Sequence, residues 1–501
     1  MTEGTVREGT VTAGTTIEGT AGPTAFVLAG GGTKGSFEAG ALQYLVGVER
    51  IIPDIVTATS AGAIAATVLA QARTHDEFAQ RVQEIEDDIL AMTRPEHVFG
   101  EQPWLRALKG TALGRSVQFA VTQGTPLPPT LNQSMPGYGL EIPIGGTPSP
   151  RAQRRAARKL RRQRHRKMFR LAAGAVHRLP RVRRRLRTSG SSVLTLEPLA
   201  EALRRGGQSG IRPVDRDLVA RPGLRLRLAV VALRAGVLRY VTEDGTIVED
   251  DARTAAPGPA AGPVDLVEGA LASASVPLVF PPRHLADDDY VDGGVLQIIP
   301  VRAAMQLGAT RIIAVVAMPL ALARDERNFT ESQAANVGIR AMGMIGMAER
   351  QRENLATPLP EGTTLTTIDP IVDVVGLFEV QPGLLRINKD YGWLRAADIL
   401  APGDPTLVAE VAAQTHQLIG ARLQAWHLEE SLWRAPSREP QADAGTLALL
   451  RQLKHEVWRL VDHRKQLGFP VPDGCDVWWS DYEVHDGTPP SQLPRCPEPL
   501  P

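Results

Sequence analysis

The chain has 501 residues, 43% of them hydrophobic and 22% charged, with 56 Lys+Arg against 55 Asp+Glu. This composition excludes an intrinsically disordered chain. The longest apolar run, Ile312 to Ala323, is broken by Pro319 and falls short of the roughly 18–20 residues that a membrane-spanning helix needs. The near-neutral balance hides a segregation: Arg151 to Arg187 holds 17 Lys+Arg and no acidic residue, leaving 39 basic against 55 acidic residues elsewhere.

Residues 1–23 are rich in Gly and Thr, lack apolar periodicity and read as a flexible leader without the apolar core of a secretory signal. Ala25 to Ala29 is a short apolar run stopped by glycines, as expected of a buried parallel strand. Ser36 to Val48 has helical spacing, with Phe37, Ala41, Leu42, Leu45 and Val48 on one face. Ile55 to Ala58 is a second strand, followed by a small-residue helix over Ala63 to Ala72. Two strand–turn–helix units in succession predict a doubly wound α/β sheet. A charged helix over His75 to Ala91, a loop with seven prolines from Gly124 to Pro150 and the basic stretch follow. Beyond it the pattern predicts a helix at Leu196–Arg205, strands at Leu224–Leu233 and Val237–Val248 with a turn at Asp244-Gly245, and a helix at Val264–Ala274. A further helix at Val301–Leu307 leads to a strand at Arg311–Met318, and two long helices span Pro405–Trp433 and Ala444–Leu467. Six of the seven tryptophans follow residue 390, where helical spacing makes them packing residues. The only cysteines, Cys475 and Cys496, lie in the Pro-rich tail; they form no disulfide framework, which favours a reducing, cytoplasmic setting.

Three segments carry chemistry. Gly30-Gly31-Gly32-Thr33-Lys34-Gly35 lies between a strand and a helix. It has the glycine spacing of a dinucleotide fingerprint, but the second strand ends in Ala58-Thr59-Ser60 without the acid that would hold a ribose. A P-loop fails because Gly35 follows Lys34. An oxyanion hole is the third reading, since glycines turn the backbone sharply and a helix N-terminus adds partial positive charge. Thr57 to Gly62 puts Ser60 at a strand-to-helix turn among small residues. That is the geometry of a nucleophile elbow, with Ala58 where the usual Gly-x-Ser-x-Gly pattern has its first glycine and Gly62 as its last. A helix N-cap is the plainer role for such a serine. A nucleophilic serine needs a base, yet all ten histidines lie outside these motifs, and neither His284 nor His416 declares itself a partner. Asp292, in Tyr290-Val291-Asp292-Gly293-Gly294, offers a carboxylate in a glycine turn, preceded by the segment Ala272 to Pro282.

Taken together, the Gly30–Gly35 loop, the Thr59-Ser60-Ala61-Gly62 elbow, the Ser273–Pro282 segment and Asp292-Gly293-Gly294 resemble, in that order, the patatin-like phospholipase family. The resemblance covers about residues 24–400 and implies a doubly wound, mostly parallel sheet flanked by helices, with residues 151–187 as a basic helical insertion and 401–501 as a C-terminal helical region and tail. It implies a lipid acyl-ester hydrolase with a Ser–Asp dyad: Ser60 as nucleophile, Asp292 as base, and the N–H groups of Gly31 and Gly32 as oxyanion hole. Gly30, Gly35 and the basic Lys34 complete that loop. No cofactor or metal is expected. The alternative is a lipid- or nucleic-acid-binding adaptor that keeps the fold without catalysis. The basic stretch, followed by an apolar pattern from Met168 to Leu179, suits an anionic membrane surface and a peripheral position at the inner face of the membrane. Nucleic-acid phosphate is the rival partner.

Overall fold

The computed structural model describes residues 22–102, 192–206, 211–250, 263–322, 329–331, 337, 339–433 and 444–485. Nearly all of the leader and the whole basic stretch 151–187 lie outside the described residues. In chain order the structure runs through β1 (Thr24–Leu28), α1 (Gly35–Leu42), β2 (Ile55–Ala58), α2 (Ala61–Leu69), α3 (His75–Ala91), β3 (Gly100–Glu101), β4 (Leu194–Thr195), α4 (Glu197–Arg205), β5 (Arg225–Ala232), β6 (Val237–Thr242), β7 (Ile247–Glu249), α5 (Leu266–Ser273), β8 (Arg283–Leu285) and β9 (Asp288–Asp292). It continues through α6 (Val301–Gln306), β10 (Arg311–Val315), α7 (Gly346–Leu355), β11 (Thr364–Ile368), α8 (Pro382–Leu400), α9 (Pro405–Trp433) and α10 (Ala444–Gln466). The helix expected over 36–48 is α1 followed by a π-helical stretch, Gln43–Val48.

The main sheet has the order β11-β10-β1-β2-β5-β6-β7, with β9 on β5 and β8 on β9. From β11 to β5 every pairing is parallel. The expected α/β architecture is therefore present, and an antiparallel half is added to it: β6 and β7 continue from β5 through tight turns, and β8 and β9 form a second hairpin after α5. Side chains alternate along β1, and each face packs into its own core. Phe26 and Leu28 join α1, α2 and α8 on one face, while Ala25 and Val27 meet Val301, Ala304 and Ile312 on the other. The continuous apolar run at 25–29 reflects burial on both faces.

Two features of the sheet position Ser60, Asp292 and the glycine loop. First, β2 pairs with β5 only as far as Ala58 opposite Leu228, then leaves the sheet. Strand β6 occupies one edge of β5 from Arg227 to Ala232, so β9 takes the edge that β2 vacates, with Asp292 opposite Val230. Second, α1 and α8 cross in backbone contact: a Cβ at Gly40 would come within 1.8 Å of the Lys389 carbonyl oxygen. Residues 401–485 continue the same core, since Leu418, Trp426, Leu450, Leu460 and Trp478 belong to the cluster that holds Phe26 and Leu28. Among the described residues, no helix is long and apolar enough to cross a membrane.

Candidate active site

The glycine loop turns from the end of β1 into α1 and passes directly over Ser60. A Cβ at Gly30 would lie 2.8 Å from Ser60 Cβ, and Gly32 adopts φ +57° with its α-carbon pressed toward the Leu377 carbonyl. The N–H groups of Thr33 and Lys34 donate to Leu377 O (3.0 Å) and Gly31 O (3.1 Å). No backbone acceptor among the described residues engages the N–H of Gly31 or Gly32. Lys34 is 5% exposed and pairs with Asp373 at 2.5 Å, so its charge is bound to the loop after β11. Its carbonyl accepts from Asn388 Nδ2 of α8, which also donates to Ser36 Oγ. Gly35 opens α1 beside Ala61.

Ser60 has φ +57° and ψ −127°, a region that L side chains rarely occupy. Several contacts hold it there. Its N–H donates to Ser273 Oγ (3.0 Å), whose hydroxyl donates to Ala229 O on β5 (2.6 Å). The Thr59 hydroxyl donates to Gln297 O (3.1 Å), and the Ser60 carbonyl accepts from Ala63 N (2.9 Å) as α2 begins. Gly62 is the residue that lets α2 start against β1, because a Cβ there would stand 2.7 Å from Ala29 O. Ala58 is fully buried at the end of β2, so the methyl group that replaces the usual glycine packs into the core.

Asp292 ends β9 and is 4% exposed. The Ser60 hydroxyl lies beside its carboxylate, and Oδ1 accepts the Gly294 N–H at 2.7 Å. Its own N–H donates to Ser275 O (3.0 Å). Burial pushes the carboxyl up to about 6, against the lowering effect of the Ser60 hydroxyl and the Gly294 N–H. The structure thus brings Ser60, Asp292 and the glycine loop to one point at the C-terminal end of the parallel strands. Among the described residues, the histidines lie elsewhere. His416 packs edge-on against Tyr391 in the helical core, where burial lowers it to about 4, and His284 pairs with Asp289 at 2.9 Å on the surface.

Sequence reading assigned no role to two neighbours of the site. Ser273 is the brace of the elbow, and only the small-residue alternation Ala272-Ser273-Ala274-Ser275 hints at it. Glu38 of α1 is buried beside Gly35, and burial raises its pKa well above the usual carboxylate range, against a smaller lowering effect of the Ala29 backbone. An acid between Phe37 and Ala39 on an otherwise apolar helix was the available signal.

Comparison with known proteins agrees with this arrangement at the level of family. No curated protein matches the chain. Among solved structures it is similar to the crystal structure of VipD from Legionella pneumophila, at 14% identity over 89% of this chain and 84% of that one, with a TM-score of 0.27. That value is too low to build on. A family model of patatin-like phospholipases matches residues 26–305, a span that runs from the glycine loop through the elbow to Asp292 and takes in more than half of the chain. The chain belongs to the patatin-like phospholipase family.

Proposed function

We propose that the protein is a serine acyl hydrolase acting on lipid esters through Ser60 and Asp292. The observation that carries this reading is Ser60, held in strained backbone with its hydroxyl beside a buried carboxylate and, among the described residues, no histidine at the site. Strain of this kind persists only where the surroundings over-determine it, and it gathers at functional sites.

In the first step, Ser60 Oγ attacks the ester carbonyl carbon while its proton passes to Asp292. The carbonyl oxygen becomes an oxyanion, which accepts from the N–H groups of Gly31 and Gly32 at the N-terminus of α1. Collapse of the tetrahedral intermediate breaks the bond to the alcohol, which leaves with the proton from Asp292. Water then attacks the acyl-Ser60 ester with Asp292 again as base, releasing a fatty acid. Lys34 supports the loop through Asp373 rather than contacting the substrate. An anionic membrane fits as the partner of the basic stretch 151–187, because each Lys or Arg near such a surface contributes about 1 kcal/mol.

The test is hydrolysis of a chromogenic fatty-acyl ester by wild type, Ser60→Ala and Asp292→Asn. Each variant should lose about 10³-fold or more in kcat. Retention of wild-type rates by both would sink the dyad. A fluorophosphonate should label Ser60; a folded protein that resists labelling and hydrolysis would favour the adaptor reading.

A further inference from the structure

Leu278 is the most exposed large apolar side chain among the described residues, at 78%, and it holds φ +71°. Both properties oppose folding. A leucine in left-handed backbone is strained, and hydrocarbon left in water gains nothing from the hydrophobic effect. Glycine would relieve both.

The turn that carries Leu278 is firmly held. Phe280 N donates to Val276 O (2.9 Å), and the Val279 carbonyl accepts from both Val193 N (3.1 Å) and Leu194 N (2.8 Å). Phe280 is buried beneath the turn, stacked on Phe99. Leu278 is therefore displayed on a fixed support rather than on a loose loop. It is also close to the site: three residues before it, the Ser275 carbonyl accepts the Asp292 N–H, a chain distance of at most about 11 Å.

The segment whose ends lie beside this turn is strongly one-sided in charge. Gln102 and Ser192 bound residues 103–191, which hold 20 Lys+Arg and one acidic residue. Both ends are fastened beside Leu278, because Gln102 N donates to Val193 O and Gln102 Nε2 to Ser192 Oγ. An exposed apolar tip beside the ends of a strongly basic segment fits a surface that is anionic outside and apolar beneath. A nucleic-acid backbone would answer the charge but would leave the leucine in water.

We propose that the Leu278 turn is where the protein seats on an anionic phospholipid bilayer, which places the Ser60–Asp292 site at the lipid surface. The inference rests on the lipid-ester reading for its purpose, yet the docking is measured separately. Full-length wild type, Leu278→Gly and Leu278→Asp are floated with phosphatidylcholine vesicles, with and without phosphatidylglycerol. Wild type should favour the anionic vesicles, and both variants should bind them about tenfold more weakly, the loss expected from one buried leucine. Hydrolysis of vesicle-borne phospholipid should fall in step, with turnover of a monomeric short-chain ester unchanged and the Tm of Leu278→Gly equal to or above wild type. Wild-type flotation by both variants overturns the proposal, as does a parallel loss of monomeric-ester turnover, which would mark Leu278 as structural. Loss of binding to a nucleic-acid duplex with vesicle binding intact overturns it in favour of nucleic acid. Protein that floats normally but hydrolyses no ester refutes the hydrolase reading and leaves the docking standing.

Discussion

In the proposed mechanism, Asp292 serves the chemistry at a cost in stability. Its carboxyl, raised to about 6 by burial, must be ionised in that mechanism to take the proton of Ser60. We expect log(kcat/KM) to fall with unit slope below about pH 6, which a pH–rate profile on a monomeric ester would show. The same shift has a stability cost. The folded pKa lies above the unfolded value near 3.9, so the folded state holds the proton more tightly. Stability therefore falls as pH rises through the window from about 4 to about 6 and stays reduced above it, by roughly 3 kcal/mol. Asn in place of Asp removes the charge and keeps an acceptor for the Gly294 N–H. Asp292→Asn is expected to be inactive yet to melt a few degrees higher at mildly alkaline pH, with the difference shrinking on acidification. A variant destabilised at every pH would contradict this account.

At the scale of elements, the site depends on β2 and β9 sharing one edge of β5, and Ser273 of α5 ties that arrangement together. Its hydroxyl accepts from Ser60 N and donates to Ala229 O, linking elbow, helix and strand. Ser273→Ala leaves two buried backbone groups unsatisfied, at about 2–3 kcal/mol in denaturant unfolding. It also frees the elbow, so kcat should drop about tenfold with little change in KM. An equal loss in both parameters would make Ser273 a binding residue instead. The family match ends at residue 305, but β10 pairs with β1 and α8 crosses α1, so the glycine loop is supported by elements beyond that span.

Across the whole molecule, the C-terminal helices are joined to the core by buried ion pairs. Lys454 of α10 is fully buried, 2.8 Å from Glu429 of α9, and donates to the carbonyls of Trp478 and Asp481. Arg422 reaches both Asp390 of α8 and Glu483, and Arg464 reaches Asp398. Removing one partner strands the other in a dry interior. Lys454→Ala and Glu429→Ala should each cost about 3–5 kcal/mol in urea unfolding, while the double replacement should cost clearly less than their sum. Additive losses would show that the pair is not coupled.

Much of this was legible in local pattern. Runs such as Ala25 to Ala29, the small residues around Ser60 and the glycines at 30–32 are imposed by burial, close approach and positive φ, which leave their mark on neighbouring positions in the chain. The α/β class, the elbow and the carboxylate at Asp292 could therefore be read from residue order alone. The sequence could not show that β9 fills the edge of β5 vacated by β2, because that pairing joins residues about 60 apart and no local signal specifies it. Nor could it show that Lys34 is spent on Asp373, that Ser273 braces Ser60, or that Leu278 is strained and outward beside both ends of the basic segment. By itself, the sequence determined which residues could carry such chemistry. Only the tertiary structure decided which of them meet, because burial and long-range pairing set the distances and the pKa values on which that chemistry depends.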